Sequence, residues 1–340
     1  MHILYHQDPR GNFGDDLNAF LWKELLPQEV LDHPDVVLLG IGSIFNSGHA
    51  SERETVGRRV YVLGSGAGYG ALPSNFQDWS ILCVRGPLTA RLIGRPELAA
   101  TDAAALLAAT NLAKLNEKRD LVLFMPHHDS LHFGAWQQVA EDAGLTFVSP
   151  RLPAEETLQL FSRARLVIAE AMHGAIVADT MRIPWVPVTT APGVFPFKWR
   201  DWTGSLDLPY KPIHIPPSTF EDFVRHRRYR QRALALGLGT ASPMTDLSED
   251  SLVADYYRRY PSNSKPPDSV KHQETLVKRF ATYGTKALGI PVTPFFKSRA
   301  IKSLRGAIQA ESFLSRDSCF QSKLVQLLDA KDRLVRELSS

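Results

Sequence analysis

The chain has 340 residues, enough for two domains of roughly 100 to 200 residues each. Its composition, with 44% hydrophobic and 22% charged residues, excludes a disordered chain, and no apolar run reaches the roughly 18 residues of a membrane-spanning helix. A net charge of +3, without a recognisable binding module, excludes a typical nucleic-acid-binding protein.

Short apolar runs bounded by glycine or proline predict buried strands in the first two thirds of the chain. The runs cover residues 3–6, 36–42, 60–64, 81–84, 121–125, 166–169 and 185–188. Helices are predicted over residues 17–25, with Asp15 or Asp16 as the N-cap, and over 103–115 and 136–143. This alternation predicts an α/β fold with parallel sheets, which bind ligands at the carboxyl ends of their strands.

The polar segment at residues 111–120 is the expected linker between two such sheets. After Pro216 the strand pattern fades, and a helical pattern rich in basic residues follows. We therefore expect one domain at residues 1–115, a second at 116–216, and a helical basic extension at 217–340 that packs back on the body.

The first glycine-containing loop follows the first predicted strand. Gly11 and Gly14 allow a tight turn, while Asn12, Asp15 and Asp16 are polar. The two carboxylates would compete with a phosphate for the free N–H groups of the next helix, so a role in orienting or deprotonating a hydroxyl fits better. A capped helix with a simple turn is the alternative.

Two further glycine-rich loops follow predicted strands, at residues 40–43 and 64–70. Gly42, Ser43 and Gly66 are expected to bring the backbone close to a ligand, although tight turns alone would also explain them. A nicotinamide or flavin site is disfavoured, because no clean helix follows Gly70 and no acidic residue ends the next strand at the expected distance.

Charged and ionisable residues follow two more strands. Arg85 comes after the fourth strand, where its fork would match a carboxylate or phosphate; an ion pair at the sheet edge is the alternative. The segment His127-His128-Asp129 follows the fifth strand, and its residues are either cleft residues or parts of a structural loop.

The segment at residues 162–179 is the most informative. A strand ends at Ala169, and His173 opens the next helix. The positive end of that helix disfavours an imidazolium and leaves a neutral group able to exchange protons near pH 7. A purely structural histidine is the alternative.

Together these segments resemble the polysaccharide pyruvyl transferase family. Residues 11–15 are similar to its Gly-Asn-x-Gly-Asp signature, and Val84-Arg85 followed by residues 101–104 is similar to its central arginine and Asp-Pro-Ala segments. Residues 164–184 resemble its Arg-Leu-His segment, with the Glu-Ala-Met-His-Gly variant of the succinoglycan and xanthan branch.

The resemblance implies two Rossmann-like domains that face each other across a cleft, as in GT-B glycosyltransferases. It also implies transfer of pyruvyl from phosphoenolpyruvate to a sugar as a cyclic ketal, without a metal or an organic cofactor. In that reaction His173 would be the acid or base near the donor, Arg85 the anion clamp, and Asp15 the orienter or base for the acceptor hydroxyl. Further substrate-binding residues would be Asn12, Gly14, Gly42, Ser43, Gly66, Glu170, Met172 and Gly174.

One position departs from the family pattern. The family arginine two residues before the histidine is Ala171 here, so its anion contact cannot be carried over. The missing charge is expected from one of five other residues, between which the sequence does not choose. They are Arg165, His127, His128, Lys198 and Arg200.

Two basic stretches, at residues 225–232 and 295–299, suggest contact with anionic lipid or a polyprenyl diphosphate, although the first is also explained as a solvated helix face. The expected partners are therefore phosphoenolpyruvate and a polyprenyl-diphosphate-linked oligosaccharide, at the inner membrane surface. Cys83 and Cys319 lack metal-ligand spacing, and no signal peptide is recognisable, so we expect a cytoplasmic protein.

Two other functions stay open at this point. A nucleotide-sugar-dependent glycosyltransferase could use the same architecture, because a fold does not fix chemistry. A non-catalytic subunit of a polysaccharide assembly complex is suggested by Ala171. The sequence leaves the acceptor sugar and the oligomeric state undetermined.

Overall fold

The computed structural model describes residues 1–116, 118–190, 194–235, 247–261 and 293–339. Its first sheet has four parallel strands in the order β1-β2-β3-β4. They are β1 His2–Leu4, β2 Val36–Leu39, β3 Arg59–Leu63 and β4 Ser80–Cys83. Every residue of β2 is buried, as expected for a parallel strand that is covered on both faces.

The second sheet has five parallel strands in the order β6-β5-β7-β8-β9. They are β5 Leu121–Met125, β6 Thr146–Phe147, β7 Ala164–Ala169, β8 Trp185–Thr189 and β9 Ile213–His214. β6 and β9 were not predicted, because two residues are too few to form a recognisable apolar run.

Helices connect the strands and form most of the chain after the second sheet. The α-helices are α1 Phe13–Asp16, α2 Asn18–Leu25, α3 Gln28–Leu31, α4 Glu52–Thr55, α5 Pro87–Leu92, α6 Trp136–Ala143, α7 Ala154–Ser162, α8 Met172–Thr180, α9 Pro196–Ser205, α10 Phe220–Ala235, α11 Glu249–Arg259, α12 Thr293–Ile308 and α13 Asp317–Ser339. Short 3₁₀ helices cover Phe76–Asp78, Pro96–Leu98, Ala103–Ala109 and Ser130–His132.

Helix α6 illustrates how the sequence pattern sets an element. Trp136, Val139, Ala140 and Ala143 recur at helical spacing and are buried against the second sheet. The helix ends at Gly144, whose φ of +85° is the left-handed conformation that glycine adopts without strain.

The predicted α/β class with parallel sheets is confirmed, whereas the domain limits at residues 115 and 216 stay predictions. Two local predictions are wrong. The helix predicted over residues 17–25 is α2, but its N-cap is Leu17, and Asp15 and Asp16 lie inside the preceding helix α1. The helix predicted over residues 103–115 is a 3₁₀ helix that ends at Ala109, because Thr110 is extended.

Helix α13 lies against the first sheet, although it is the last element of the chain. Its buried stripe, which includes Phe320, Leu327 and Leu334, belongs to the same apolar core as Leu63 and Leu82. The parts of the predicted extension at residues 236–246 and 262–292 lie outside the described residues. Among the described helices, none is both long and apolar enough to cross a bilayer.

Candidate active site

A cavity of about 380 Å³ lies among loops that follow strands of both sheets. Ten of the residues predicted to act or bind line it: Asn12, Gly14, Asp15, Ser43, His127, His128, Glu170, Met172, His173 and Lys198. Strand ends of two parallel sheets therefore contribute to one site, as the alternating pattern predicted.

Six of the residues predicted for the site do not line this cavity. They are Arg85, Gly42, Gly66, Arg165, Gly174 and Arg200. Arg165 is exposed at the beginning of β7, away from the carboxyl end of the strand, so its predicted role at the site is not supported. At the three glycines a side chain would collide with Asp15, with Arg85 or with Met125, and of these neighbours Asp15 and Met125 line the cavity.

The first loop holds a carboxyl group at the cavity. Asn18 is fully buried, and its side-chain amide donates to the carbonyl oxygens of Asp15 and Ile41, at 3.0 and 3.1 Å. This contact joins the α1–α2 junction to the loop after β2. At Gly42, where φ is +109°, a Cβ would lie 2.8 Å from Asp15 Oδ1, so only glycine lets the two loops meet.

Burial raises the pKa of Asp15 to about 7, even though the Lys198 charge opposes the shift. The Asn12 side-chain amide donates to the Asp15 carboxylate and fixes its direction. Near neutral pH this carboxyl group is therefore divided between its protonated and charged forms. A group in that state can either donate or accept a proton.

His173 lies in the first turn of α8, as predicted, and lines the cavity. Burial, reinforced by the charges of Lys198 and Arg85, lowers the pKa of His173 to about 3. The imidazole is thus neutral, as the sequence indicated. The group that titrates near pH 7 is, however, Asp15 and not His173.

The His173 side chain packs against a glycine of α1. A Cβ built on Gly14 would lie 1.9 Å from His173 Nδ1 and 2.5 Å from His173 Cβ. Helix α1 can therefore approach α8 only because residue 14 has no side chain. The Gly-Asn-x-Gly-Asp signature thus places the imidazole as well as the carboxyl group.

Asp102 is a buried partner of His173 to which the sequence analysis gave no role. Its Oδ1 accepts a hydrogen bond from the Ala104 N–H, whereas its Oδ2 lies 4.0 Å from His173 Nε2. Neither of these two facing atoms has a hydrogen-bond partner among the described residues. The gap is too long for a hydrogen bond, but a small rotation of the ring would close it.

Arg85 lies behind the cavity and is completely buried. Its Nε donates to Asp201 Oδ2 at 3.0 Å, its Nη1 to Ser43 Oγ at 2.6 Å, and its Nη2 to the Ala67 carbonyl oxygen at 2.7 Å. Gly66 leaves the room that the guanidinium occupies. This geometry matches the ion-pair alternative, and Arg85 reaches the cavity only through Ser43.

Lys198, near the beginning of α9, supplies a positive charge to the cavity wall. Its ammonium lies 4.0 Å from the ring centroid of Tyr69 and makes no hydrogen bond or ion pair among the described residues. Burial and the nearby Arg85 charge lower the pKa of Lys198 to about 7. Of the five candidates for the charge missing at Ala171, Lys198, His127 and His128 line the cavity, and burial lowers the pKa of both histidines.

Glu170 holds the loop that carries His127 and His128 in place. Its Oε2 accepts hydrogen bonds from the His127 N–H at 2.9 Å and from Thr190 Oγ1 at 2.7 Å, and its Oε1 accepts one from the Thr190 N–H at 2.7 Å. Both oxygens are therefore engaged with the protein. Glu170 acts on the cavity by fixing the loops after β5 and β8.

The potential ligand atoms of His127, His128 and Asp129 lie within 4.8 Å of one another, so this loop could hold a metal ion. The positive charges of Lys198 and Arg225 help to lower the pKa of His127, and the same charges disfavour a bound cation in this loop. The absence of a metal and of an organic cofactor stays a prediction.

Several cavity residues were missed by the sequence analysis. They are His6, His49, Tyr69 and Arg225. The first three follow strands, and this position is the signal that could have identified them. Arg225 lies in α10, where its guanidinium stacks 4.6 Å from the Phe133 ring centroid and donates to the Asp129 carbonyl oxygen.

Comparison with known proteins adds a family to this geometry. The family model of the polysaccharide pyruvyl transferases matches residues 12–192. The succinoglycan biosynthesis protein ExoV of Rhizobium meliloti (strain 1021) is 38% identical over 226 residues, which cover 64% of this chain and 69% of that protein. No solved structure is significantly similar to the chain. The family match includes Asp15, Asp102 and His173, whereas Lys198 and Arg225 lie beyond it.

Proposed function

Because the chain belongs to the polysaccharide pyruvyl transferase family, and is therefore a pyruvyltransferase of polysaccharide synthesis, we propose that its donor is phosphoenolpyruvate and its product a cyclic ketal. The proposed acceptor is a sugar of a lipid-linked exopolysaccharide repeat unit. The supporting observation is that one cavity holds a neutral imidazole, an ammonium and a carboxyl group that titrates near pH 7. The position of the cavity between two parallel sheets also supports a GT-B-like arrangement of two domains.

The reaction needs a defined set of bond changes. A proton added to the methylene carbon of phosphoenolpyruvate makes the neighbouring carbon electrophilic. One sugar hydroxyl attacks that carbon, the bond to phosphate breaks, and a second hydroxyl closes the ketal. Of the two hydroxyl protons, one replaces the proton given to the methylene carbon, and the other leaves with phosphate.

In our proposal the protonated carboxyl of Asp15 donates to the methylene carbon, and neutral His173 accepts the proton of the first attacking hydroxyl. The resulting imidazolium is stabilised by Asp102 and passes its proton to the departing phosphate. The Asp15 carboxylate accepts the proton of the second hydroxyl, which restores its starting form. Asp15 thus serves as acid and base in one turnover.

Lys198 is the proposed replacement for the family arginine at Ala171. It faces the cavity together with the amino-terminal end of α8, where the partial positive charge of the helix favours anions. Arg85 is assigned an indirect role, because its hydrogen bonds hold Ser43 and Asp201 instead of a ligand. We therefore propose Arg85 as a positioning residue.

The donor and the ketal can be tested together by incubating the protein with ¹³C-labelled phosphoenolpyruvate and a lipid-linked oligosaccharide in deuterated water. We expect one phosphate released per ketal formed, and one deuterium in the ketal methyl group, because the proton on that carbon comes from an exchangeable acid. NMR and mass spectrometry measure both. Sugar transfer from a UDP-sugar, without any product from phosphoenolpyruvate, would overturn the proposal.

Donor affinity should fall as the pH rises through about 7. Without the donor, the pKa of Lys198 is about 7. A bound anionic donor raises this pKa, so above pH 7 the amine must take up a proton when the donor binds, and the affinity falls. Lys198→Arg keeps its charge and should have a shallower pH dependence. Lys198→Met should bind about 10- to 100-fold more weakly at pH 6, because a charge-assisted contact is lost.

Calorimetric titration with phosphoenolpyruvate at several pH values measures these affinities. The ionisation of the donor itself affects all variants equally. The difference in pH dependence between wild type and Lys198→Arg therefore reports the ionisation of Lys198. The exposed Lys302, replaced by methionine, is the control and should leave affinity unchanged. Equal pH slopes in wild type and Lys198→Arg would contradict the assignment.

A further inference from the structure

Four phenylalanines from two helices form an exposed cluster, here called the aromatic patch. Phe220 and Phe223 lie on α10, and Phe295 and Phe296 lie on α12. Their rings contact one another with centroid distances between 5.5 and 6.3 Å. Phe223 is 39% exposed and Phe295 is 58% exposed. Exposed aromatic side chains that cluster in this way mark an interaction surface.

Cationic side chains continue the patch along both helices. On α10, Arg227 and Arg230 follow Phe223 at i+4 and i+7, so they share its face. On α12, Arg299 and Lys302 follow Phe295 with the same spacing, and the Arg299 guanidinium stacks 5.5 Å from the Phe295 ring centroid. All four cations are exposed, and no acidic partner is recorded for them among the described residues.

Helix α10 separates the aromatic patch from the cavity. It carries Phe223 on the face of the patch and, two residues later on another face, Arg225, which lines the cavity next to Asp129. A lipid-linked ligand at the patch would have to cross the width of one helix, roughly 10 Å, to place its polar part in the cavity. This relation rests on the proposed function, since only a lipid-linked acceptor needs it.

We propose that the aromatic patch and its four flanking cations dock the protein on the anionic surface of a lipid bilayer. Aromatic rings are favoured at the boundary between headgroups and acyl chains, and each nearby cation strengthens binding to an anionic surface about fivefold. A bilayer matches a surface on which four exposed cations of like charge flank exposed aromatic rings. A protein partner would be expected to present acidic pockets to individual arginines, and that outcome is part of the test.

The test is co-sedimentation of the full chain with vesicles of phosphatidylcholine alone or mixed with phosphatidylglycerol. Wild type should bind the anionic vesicles, and this binding should weaken at high salt. The double variant Arg227→Gln/Arg299→Gln should bind about 25-fold more weakly, and Phe223→Ser/Phe295→Ser should also lose binding. Val325→Ser removes an apolar residue that is 53% exposed on α13, and this control should bind as wild type does.

Two results would contradict docking on a membrane: wild type that does not bind anionic vesicles, or patch variants that bind them as well as wild type does. Self-association that the phenylalanine variants abolish, without vesicle binding, would identify a protein interface instead. Ketal formation on a soluble oligosaccharide should be unchanged in the patch variants. If wild type forms no ketal from phosphoenolpyruvate on the lipid-linked acceptor either, while vesicle binding persists, the proposed function fails and the docking surface stands.

Discussion

Replacing Gly14 by alanine should lower kcat/KM by about 100-fold or more, although alanine is the better helix former. The new Cβ would lie 1.9 Å from His173 Nδ1 and 2.5 Å from His173 Cβ, so rotation of the ring alone cannot relieve the collision. Either α1 or the beginning of α8 must move. A displacement of about 1 Å at a reacting group is enough for a loss of this size.

The matched control is Gly306→Ala. Gly306 also lies within a helix, α12, but a Cβ there would meet no atom within 4 Å. The control should keep full activity and gain roughly 0.5–1 kcal/mol in free energy of unfolding, because alanine restricts the unfolded chain. Steady-state kinetics and urea unfolding measure both variants. Normal kcat/KM in Gly14→Ala would exclude the assigned position of His173.

Replacing Arg85 by alanine should lower the free energy of unfolding by about 3–5 kcal/mol. The substitution leaves the Asp201 carboxylate fully buried without its cationic partner, although Thr89 still donates to it. A ligand clamp that faces a cavity would behave differently, since its removal would weaken donor binding with little loss of stability. Urea unfolding followed by circular dichroism measures the change.

The exposed pair of Arg95 with Glu97 supplies the control, because Arg95→Ala should change the free energy of unfolding by less than about 1 kcal/mol. The double variant Arg85→Met/Asp201→Asn removes both buried charges and should recover part of the lost stability. If Arg85→Ala folds as stably as wild type but no longer binds phosphoenolpyruvate, Arg85 contacts the donor directly.

Much of the fold was accessible from the sequence, because fully buried parallel strands are continuous apolar runs. Residues 121–125 were predicted at the bounds that β5 has, and the loops after the strands of both sheets do meet at one cavity. His173 was recognisable because a strand, a short loop and a helix start have separate signals. Such signals come from residues that are neighbours in the chain, so they can be recognised in a single sequence.

The errors concern contacts between distant segments. Arg85 is paired with Asp201, which lies 116 positions further along the chain, and no local pattern announces such a partner. Asp102 belongs to the segment similar to the family's Asp-Pro-Ala stretch, but no local pattern shows that its second oxygen faces His173 at the beginning of α8. The alanine-rich stretch after Asp102 favours a helix by propensity, yet the structure forms only a 3₁₀ helix there.

The place of α13 has a consequence for synthesis of the protein. Residues of the first sheet leave the ribosome well before α13, but their core includes Leu334 and Leu338 from the last turns of that helix. The His33 ring also contacts the backbone oxygen of Leu338 at 2.8 Å. Domains commonly mature in the order of translation. Here the first sheet, although it is translated before α13, keeps part of its apolar surface uncovered until that helix has been made.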